Sequence, residues 1–188
     1  MSDIQIDGFA ISDFLTLAEC ERILREMQAA TGVAASLSGG AKVVDPYVRN
    51  VLCAEVSPEL IDLVAERLLS AMPRIEERFG VKLTEIEEPQ FLHYRPGDHF
   101  VAHQDGNTPL IHDDTLARKV SVVIFLNSQG DSYTGGSLVL HGTYPNWEYR
   151  QDITSGVGAL VAFRSETTHE VQPVTGGERF TIVSWLRE

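Results

Sequence analysis

Apolar residues recur at three- and four-residue steps in two stretches near the N-terminus, and the polar residues flanking them mark where helices begin and end. In the first stretch, Leu17, Cys20, Ile23, Leu24 and Met27 form one stripe. Thr16 precedes it and Glu19 lies in its first turn, placed so that a hydroxyl and a carboxylate serve the first free amides of a helix. In the second, Ile61, Val64, Leu68 and Leu69 form the stripe. Ser57-Pro58-Glu59 opens it with an N-cap serine, a proline that forfeits no hydrogen bond and an acid that the helix dipole favours. Pro73 is expected to kink or split this helix because it lacks an amide, and Phe79-Gly80 ends it.

Residues 4–14 and 47–56 have the texture of extended chain. Between Thr31 and Lys42 the residues are small and rich in Gly and Ser, leaving no face to bury, so the segment is either a lid over a site or a plain connection. After Gly80 short strands alternate with Gly, Pro, Asn and Asp: 81–87, 90–94, 99–104, 119–126, 137–141, 147–151, 158–163, 170–173 and 179–187. Helices first and strands after predict an α+β chain. The expected arrangement is a sandwich or jelly roll with N-terminal helices packed on one sheet, the helical part at 1–80 and the strand-built core at 81–188. A length of 188 residues fits a single domain with its own core.

Composition adds exclusions. A hydrophobic share of 43% and a charged share of 22% are those of an ordinary soluble globular chain. No apolar run approaches the ~20 residues that a membrane-spanning helix needs. Asp3 and Asp7 stand where an export signal carries lysines, so a cytoplasmic location is expected. Cys20 and Cys53 fall within apolar-periodic segments, which favours buried free thiols. The net charge of −12 argues against nucleic acid and anionic membrane as partners, and suits a basic partner or simple solvation. Nothing in the pattern sets an oligomeric state.

The chemistry gathers in two places. His103-Gln104-Asp105 ends a short extended run, and on a strand its first and third side chains project the same way. Far along the chain, His169 follows a turn and precedes another extended run that carries Arg179. Two imidazoles and one carboxylate with open positions suit a non-heme Fe(II) oxygenase. A second His-x-Asp, His112-Asp113-Asp114, lies among turn residues without alternation and lacks a rigid platform. His93, His99 and His141 are taken as structural or surface residues.

With Tyr94-x-x-Gly97, His103-x-Asp105, Gly135-Gly136-Ser137-Leu138, His169, Arg179-x-Thr181 and Trp185 in this order, the chain resembles the Fe(II)/2-oxoglutarate-dependent dioxygenases, within them the prolyl 4-hydroxylase-like branch. The resemblance covers the C-terminal half well and the N-terminal part in outline. It implies a double-stranded β-helix in which His103, Asp105 and His169 hold Fe(II). It also implies that 2-oxoglutarate and O2 are co-substrates, with ascorbate an optional reductant. By the same resemblance Arg179 anchors the distal carboxylate of 2-oxoglutarate, Thr181 assists, and Tyr94 hydrogen-bonds it from the opposite wall. A guanidinium fork suits that carboxylate. Ser121, Val123 and Phe125 share one face and are expected to line the co-substrate pocket with Leu138, while Trp185 shares the face of Arg179. Several relatives carry tyrosine where Phe125 stands.

The reaction so implied is hydroxylation of an unactivated C–H, first of all in a prolyl residue of a protein or peptide. A free amino acid or small metabolite is the other substrate class. A redox-neutral metal hydrolase or a non-catalytic binding barrel also fits two histidines and a carboxylate. Neither accounts for Tyr94, Arg179 and Thr181 together. Asp105 disfavours halogenation, and Trp185, where nucleic-acid demethylases carry a second arginine, disfavours nucleic acid. Specificity is expected to sit in the loops Thr31–Lys42, Gly106–Ala117 and Tyr144–Trp147, and Arg49 is a candidate substrate contact.

Overall fold

Thr16 and Glu19 close the expected capping box: the Glu19 amide donates to Thr16 Oγ1 at 3.2 Å and the Thr16 amide donates to Glu19 Oε2 at 2.8 Å. The helix they start buries Cys20, Ile23 and Met27, while Leu17 at its first position is 66% exposed. The computed structural model describes residues 7–35, 45–108, 113–142 and 148–188.

In chain order the first elements are β1 (Gly8–Ile11), α1 (Leu17–Ala29), β2 (Gly32–Ala34), β3 (Arg49–Asn50), β4 (Leu52–Ala54), α2 (Pro58–Phe79), β5 (Glu85–Ile86) and β6 (Gln90–Tyr94). There follow β7 (His99–His103), a short 3-10 turn (Asp114–Ala117), β8 (Arg118–Phe125), β9 (Tyr133–Gly135) and β10 (Leu138–His141). The last are β11 (Arg150–Ile153), β12 (Leu160–Arg164), β13 (His169–Val171), β14 (Val174–Gly177) and β15 (Arg179–Arg187).

The strands form an eight-stranded sheet, β1-β12-β8-β15-β6-β4-β2 with β5 beside β15, and a five-stranded sheet, β11-β10-β13-β7-β3. β9 and β14 make a separate ribbon. Both faces of the larger sheet are buried along its central strands β8, β12 and β15. Val120, Val122, Ile124, Phe180, Ile182 and Leu186 meet the helices, whereas Tyr94, Val123 and Phe125 meet Leu138, Leu140 and Val171 of the smaller sheet. The period-two alternation of β8 and β15 therefore sorts one set of side chains to the helices and the other to the space between the sheets.

Three expectations change. The extended segment 47–56 is two strands: β3 pairs with β7 in the smaller sheet and β4 pairs with β6 in the larger, so the chain changes sheets around Val51. The first 80 residues thus supply strands to both sheets as well as two helices. Ser57 does not cap α2 with its side chain; its hydroxyl donates to Glu26 Oε2 at 3.1 Å and ties α2 to α1.

Pro73 does not split α2, which runs from Pro58 to Phe79 and ends on Gly80 in the left-handed region at φ 63°. Burial of Leu68, Ala71, Ile75 and Phe79 on either side of Pro73 outweighs its missing hydrogen bond. The carbonyl left without that bond belongs to Leu69, a residue 55% exposed on the outer side of α2. Pro73→Ala is therefore expected to stabilise the protein by about 1 kcal/mol, a rise of about 2–4 °C in Tm measured by calorimetry.

Among the described residues no helix is long and apolar enough to cross a membrane.

Candidate active site

β7 and β13 pair antiparallel with His103 directly opposite His169. The next register pair is Phe100 with Val171, so three steps on β7 oppose two on β13. This bulge turns the extra residue out of phase, and Phe100 and His103 both face the same cavity although an odd spacing would separate them on a regular strand. The two rings stack with centroids 3.5 Å apart.

Asp105 lies beyond the end of β7 and is held by its backbone. Its amide and that of Gly106 donate to the Ser165 carbonyl at 3.0 and 3.2 Å, and Arg118 Nη1 donates to its carbonyl at 3.0 Å. Asp105 Oδ1 lies 3.4 Å from His103 Nε2, and Oδ2 lies 3.4 Å from His169 Nε2. Each imidazole donates from Nδ1 to a backbone carbonyl, His103 to Val101 at 2.8 Å and His169 to Thr167 at 2.9 Å. That tautomer leaves both Nε2 lone pairs turned toward Asp105.

One ligand atom from each of His103, Asp105 and His169 lies within 4.8 Å of the others, a spacing that one cation spans. Burial pushes the His169 imidazole down to about 4 against the pull of Asp105, so at neutral pH it is an uncharged donor. Burial alone would raise the Asp105 carboxyl, yet His169, His103 and the Ser121 hydroxyl hold it well below the usual carboxylate range. A carboxylate and two imidazoles with oriented Nε2 atoms are the donor set that a divalent iron takes.

Arg179 sits beside this triad and is 1% exposed. Nη1 donates to Thr181 Oγ1 at 3.2 Å, while Nε and Nη2 have no hydrogen-bond partner among the described residues. The guanidinium lies over the rings of Tyr94, at 4.9 Å, and Phe125, at 5.6 Å. Such unpaired buried donors are costly unless an anion completes them. Burial raises the Tyr94 phenol, so it remains a neutral donor. A Cβ on Gly136 would stand 3.1 Å from Arg179 Cδ and 2.9 Å from Val174 Cγ2, so only glycine leaves the arginine stem its space.

Tyr94 is the register partner of Arg179 on adjacent strands, so the two share a wall instead of facing each other across the cavity as expected. That cavity spans about 440 Å³ including its mouth open to solvent, and it is lined by the triad together with Tyr94, Val123, Leu138, Arg179, Thr181 and Trp185. Arg49 also borders it, buried at 5% exposure, with Nη2 donating to Gln90 Oε1 at 3.1 Å. Ser121 and Phe125 do not line it. Ser121 instead shares a hydrogen bond with Ser165 at 3.1 Å and reaches Asp105, and Phe125 is the apolar floor beneath the guanidinium. His112 and the segment 143–147 lie outside the described residues, as do parts of the loops Thr31–Lys42 and Gly106–Ala117.

Sequence reasoning missed Arg118. Its Nε and Nη2 donate to Glu87 Oε1 and Oε2 at 2.7 and 2.6 Å, its plane covers Trp185 at 3.9 Å, and it also holds the Asp105 carbonyl. No local signal couples Glu87 to Arg118, because only the fold brings them together. Arg118→Met is expected to destabilise the protein by roughly 3 kcal/mol, read by denaturant unfolding, since Glu87 loses its bidentate partner.

Residues 89–187 match the family described as the 2OG-Fe(II) oxygenase superfamily. A PKHD-type hydroxylase of Shewanella sp. strain MR-7 is 27% identical over 94% of this chain and 76% of its own length. A PKHD-type hydroxylase of Shewanella oneidensis is 36% identical over 53% of this chain, a match that spans 42% of that relative. Among solved structures, a Pseudomonas putida prolyl-4-hydroxylase superposes with a TM-score of 0.74 at 22% identity, covering 98% of this chain and 94% of that one. A prolyl hydroxylase from Trichoplax adhaerens, in complex with a hypoxia inducible factor oxygen degradation domain peptide fragment, superposes with a TM-score of 0.76 at 22% identity, covering 96% and 83%.

Proposed function

The chain belongs to the 2OG-Fe(II) oxygenase superfamily, and from that premise we propose that it hydroxylates a prolyl residue in a protein or peptide. Its cofactor is Fe(II), and its co-substrates are 2-oxoglutarate and O2. The observation that carries the site assignment is the adjacency, in one cavity, of a three-ligand cluster and a buried arginine with two donor atoms that have no partner among the described residues.

In this reading His103 Nε2, Asp105 and His169 Nε2 hold the iron, with the Val101 and Thr167 carbonyls fixing the imidazole tautomers. Arg179 and Thr181 receive the distal carboxylate of 2-oxoglutarate, and Tyr94 adds a neutral hydroxyl from the neighbouring strand. Val123, Leu138 and Trp185 exclude water from the reacting space. Iron and 2-oxoglutarate together supply oxidation by O2, one oxygen atom passing to the substrate C–H and the other to succinate as CO2 leaves. We read the two facing sheets as a double-stranded β-helix and the chain as a single domain.

The prolyl assignment draws on the fold shared with prolyl hydroxylases and on a structural neighbour bound to a peptide. A basic peptide would be drawn electrostatically to a chain of net charge −12. The test is mass spectrometry of prolyl peptides and of free proline incubated with enzyme, Fe(II), 2-oxoglutarate and air. The expected result is a gain of one oxygen on a peptide, coupled to succinate formation and lost with Asp105→Ala. Coupled turnover of the free amino acid alone would replace the peptide assignment with a small-metabolite one.

A further inference from the structure

The ladder between β8 and β15 stops just short of Arg179. Phe125 is the register partner of Thr181, and Leu126 contributes one more bond, its amide to the Phe180 carbonyl at 3.1 Å. The main chain then turns away, with the Ser132 amide closing onto the Ser128 carbonyl at 3.0 Å. Beyond that bond the Glu178 carbonyl and the Phe180 amide are met on this side by a side chain.

Asn127 is 9% exposed, and its primary amide stands where the next peptide group of a strand would be. Nδ2 donates to the Glu178 carbonyl at 2.7 Å, and Oδ1 accepts from the Phe180 amide at 3.0 Å. Those two groups bracket Arg179 on either side. On the opposite edge the backbone of Arg179 is in register with Tyr94 of β6. Both peptide planes flanking Arg179 are thus fixed, and with them the direction in which its side chain leaves the strand.

We propose that Asn127 is the positioning residue of the Arg179 guanidinium, and that it sets 2-oxoglutarate affinity without touching 2-oxoglutarate. The proposal rests on the reading above, in which Arg179 holds the distal carboxylate. The physical need is specific. The guanidinium is anchored at Thr181 Oγ1, and its stem passes through the narrow space beside Gly136, so a rotation of the strand at residue 179 would be transmitted to the fork. A serine or apolar residue at 127 cannot bridge a carbonyl and an amide as a primary amide does.

The test is calorimetric titration of 2-oxoglutarate into Mn(II)-loaded protein without O2, with Mn(II) affinity and Tm measured on the same samples. The variants are Asn127→Leu, Asn127→Ser, Arg179→Ala and, as a control, Ser184→Ala. Ser184 also gives β15 a buried hydrogen bond, to the Glu87 carbonyl at 2.6 Å, but on the helix-facing side of the strand. The Asn127 variants are expected to weaken 2-oxoglutarate binding roughly 10-fold while leaving Mn(II) affinity within about twofold of wild type. Ser184→Ala is expected to lower Tm and leave 2-oxoglutarate binding intact.

Unchanged 2-oxoglutarate affinity in the Asn127 variants, or an equal loss in Ser184→Ala, would overturn the proposal. Failure of both Asn127 variants to fold would also overturn it, making Asn127 a requirement of the fold itself. Absence of binding to the wild-type protein would sink the oxygenase reading, whereas loss in Arg179→Ala alone would leave that reading standing without this inference.

Discussion

Arg179→Ala is expected to weaken 2-oxoglutarate binding by about 100- to 1,000-fold, equivalent to about 3–4 kcal/mol. The size follows from burial. The guanidinium is 1% exposed and two of its donor atoms have no protein hydrogen-bond partner among the described residues, so a carboxylate that reaches it gains charge-assisted hydrogen bonds in a buried setting. Arg179→Lys restores the charge without the fork and is expected to recover part of the affinity. Stability in the absence of 2-oxoglutarate should move the other way. Arg179→Met fills the same space without an unpaired charge and is expected to raise Tm of the ligand-free protein. Equilibrium dialysis and calorimetry on the same variants read both effects, and a lower Tm for Arg179→Met would show that the site holds the arginine without strain.

Asp105→Ala is expected to abolish 2-oxoglutarate turnover and to weaken Fe(II) binding by more than about a hundredfold, beyond the roughly 10- to 100-fold effect of altering an outer partner of a metal ligand. Asp105 supplies the negative charge of the triad, and only two imidazoles remain when it is gone. Asp105→Asn separates charge from shape: it keeps the carbonyl oxygen and the backbone ties to Ser165 and Arg118, and should still lose most of the iron affinity. Metal content after dialysis against Fe(II) of set concentration checks both. Retention of iron by Asp105→Ala would remove Asp105 from the ligand set.

Where a residue's position follows from the local period of its own strand, it was legible in the sequence. β6 and β15 run over the expected residues, and the two-residue alternation of β15 does send Arg179, Thr181, Val183 and Trp185 to the cavity together. The capping box at Thr16 is equally local. What escaped depends on partners distant in sequence. The bulge that brings Phe100 to the face of His103 exists only in the pairing of β7 with β13. The break in segment 47–56 reflects two sheets competing for neighbouring residues, and Pro73 stays helical because tertiary burial exceeds its local cost. Ser121 and Phe125 share the cavity-facing side of β8 as expected, yet other side chains cover them, a matter of depth that periodicity does not encode. The Glu87–Arg118 clamp and the bridging amide of Asn127 likewise appear only when strands far apart in sequence become neighbours.

The most direct test of the site as a whole is an anaerobic titration of the Fe(II)-loaded protein with 2-oxoglutarate, following the visible charge-transfer absorption of an iron-bound keto acid. The account predicts a band that saturates in wild type, needs far more 2-oxoglutarate in Arg179→Ala, and is absent in Asp105→Ala. Iron retained by the wild-type protein with no band at saturating 2-oxoglutarate would contradict it.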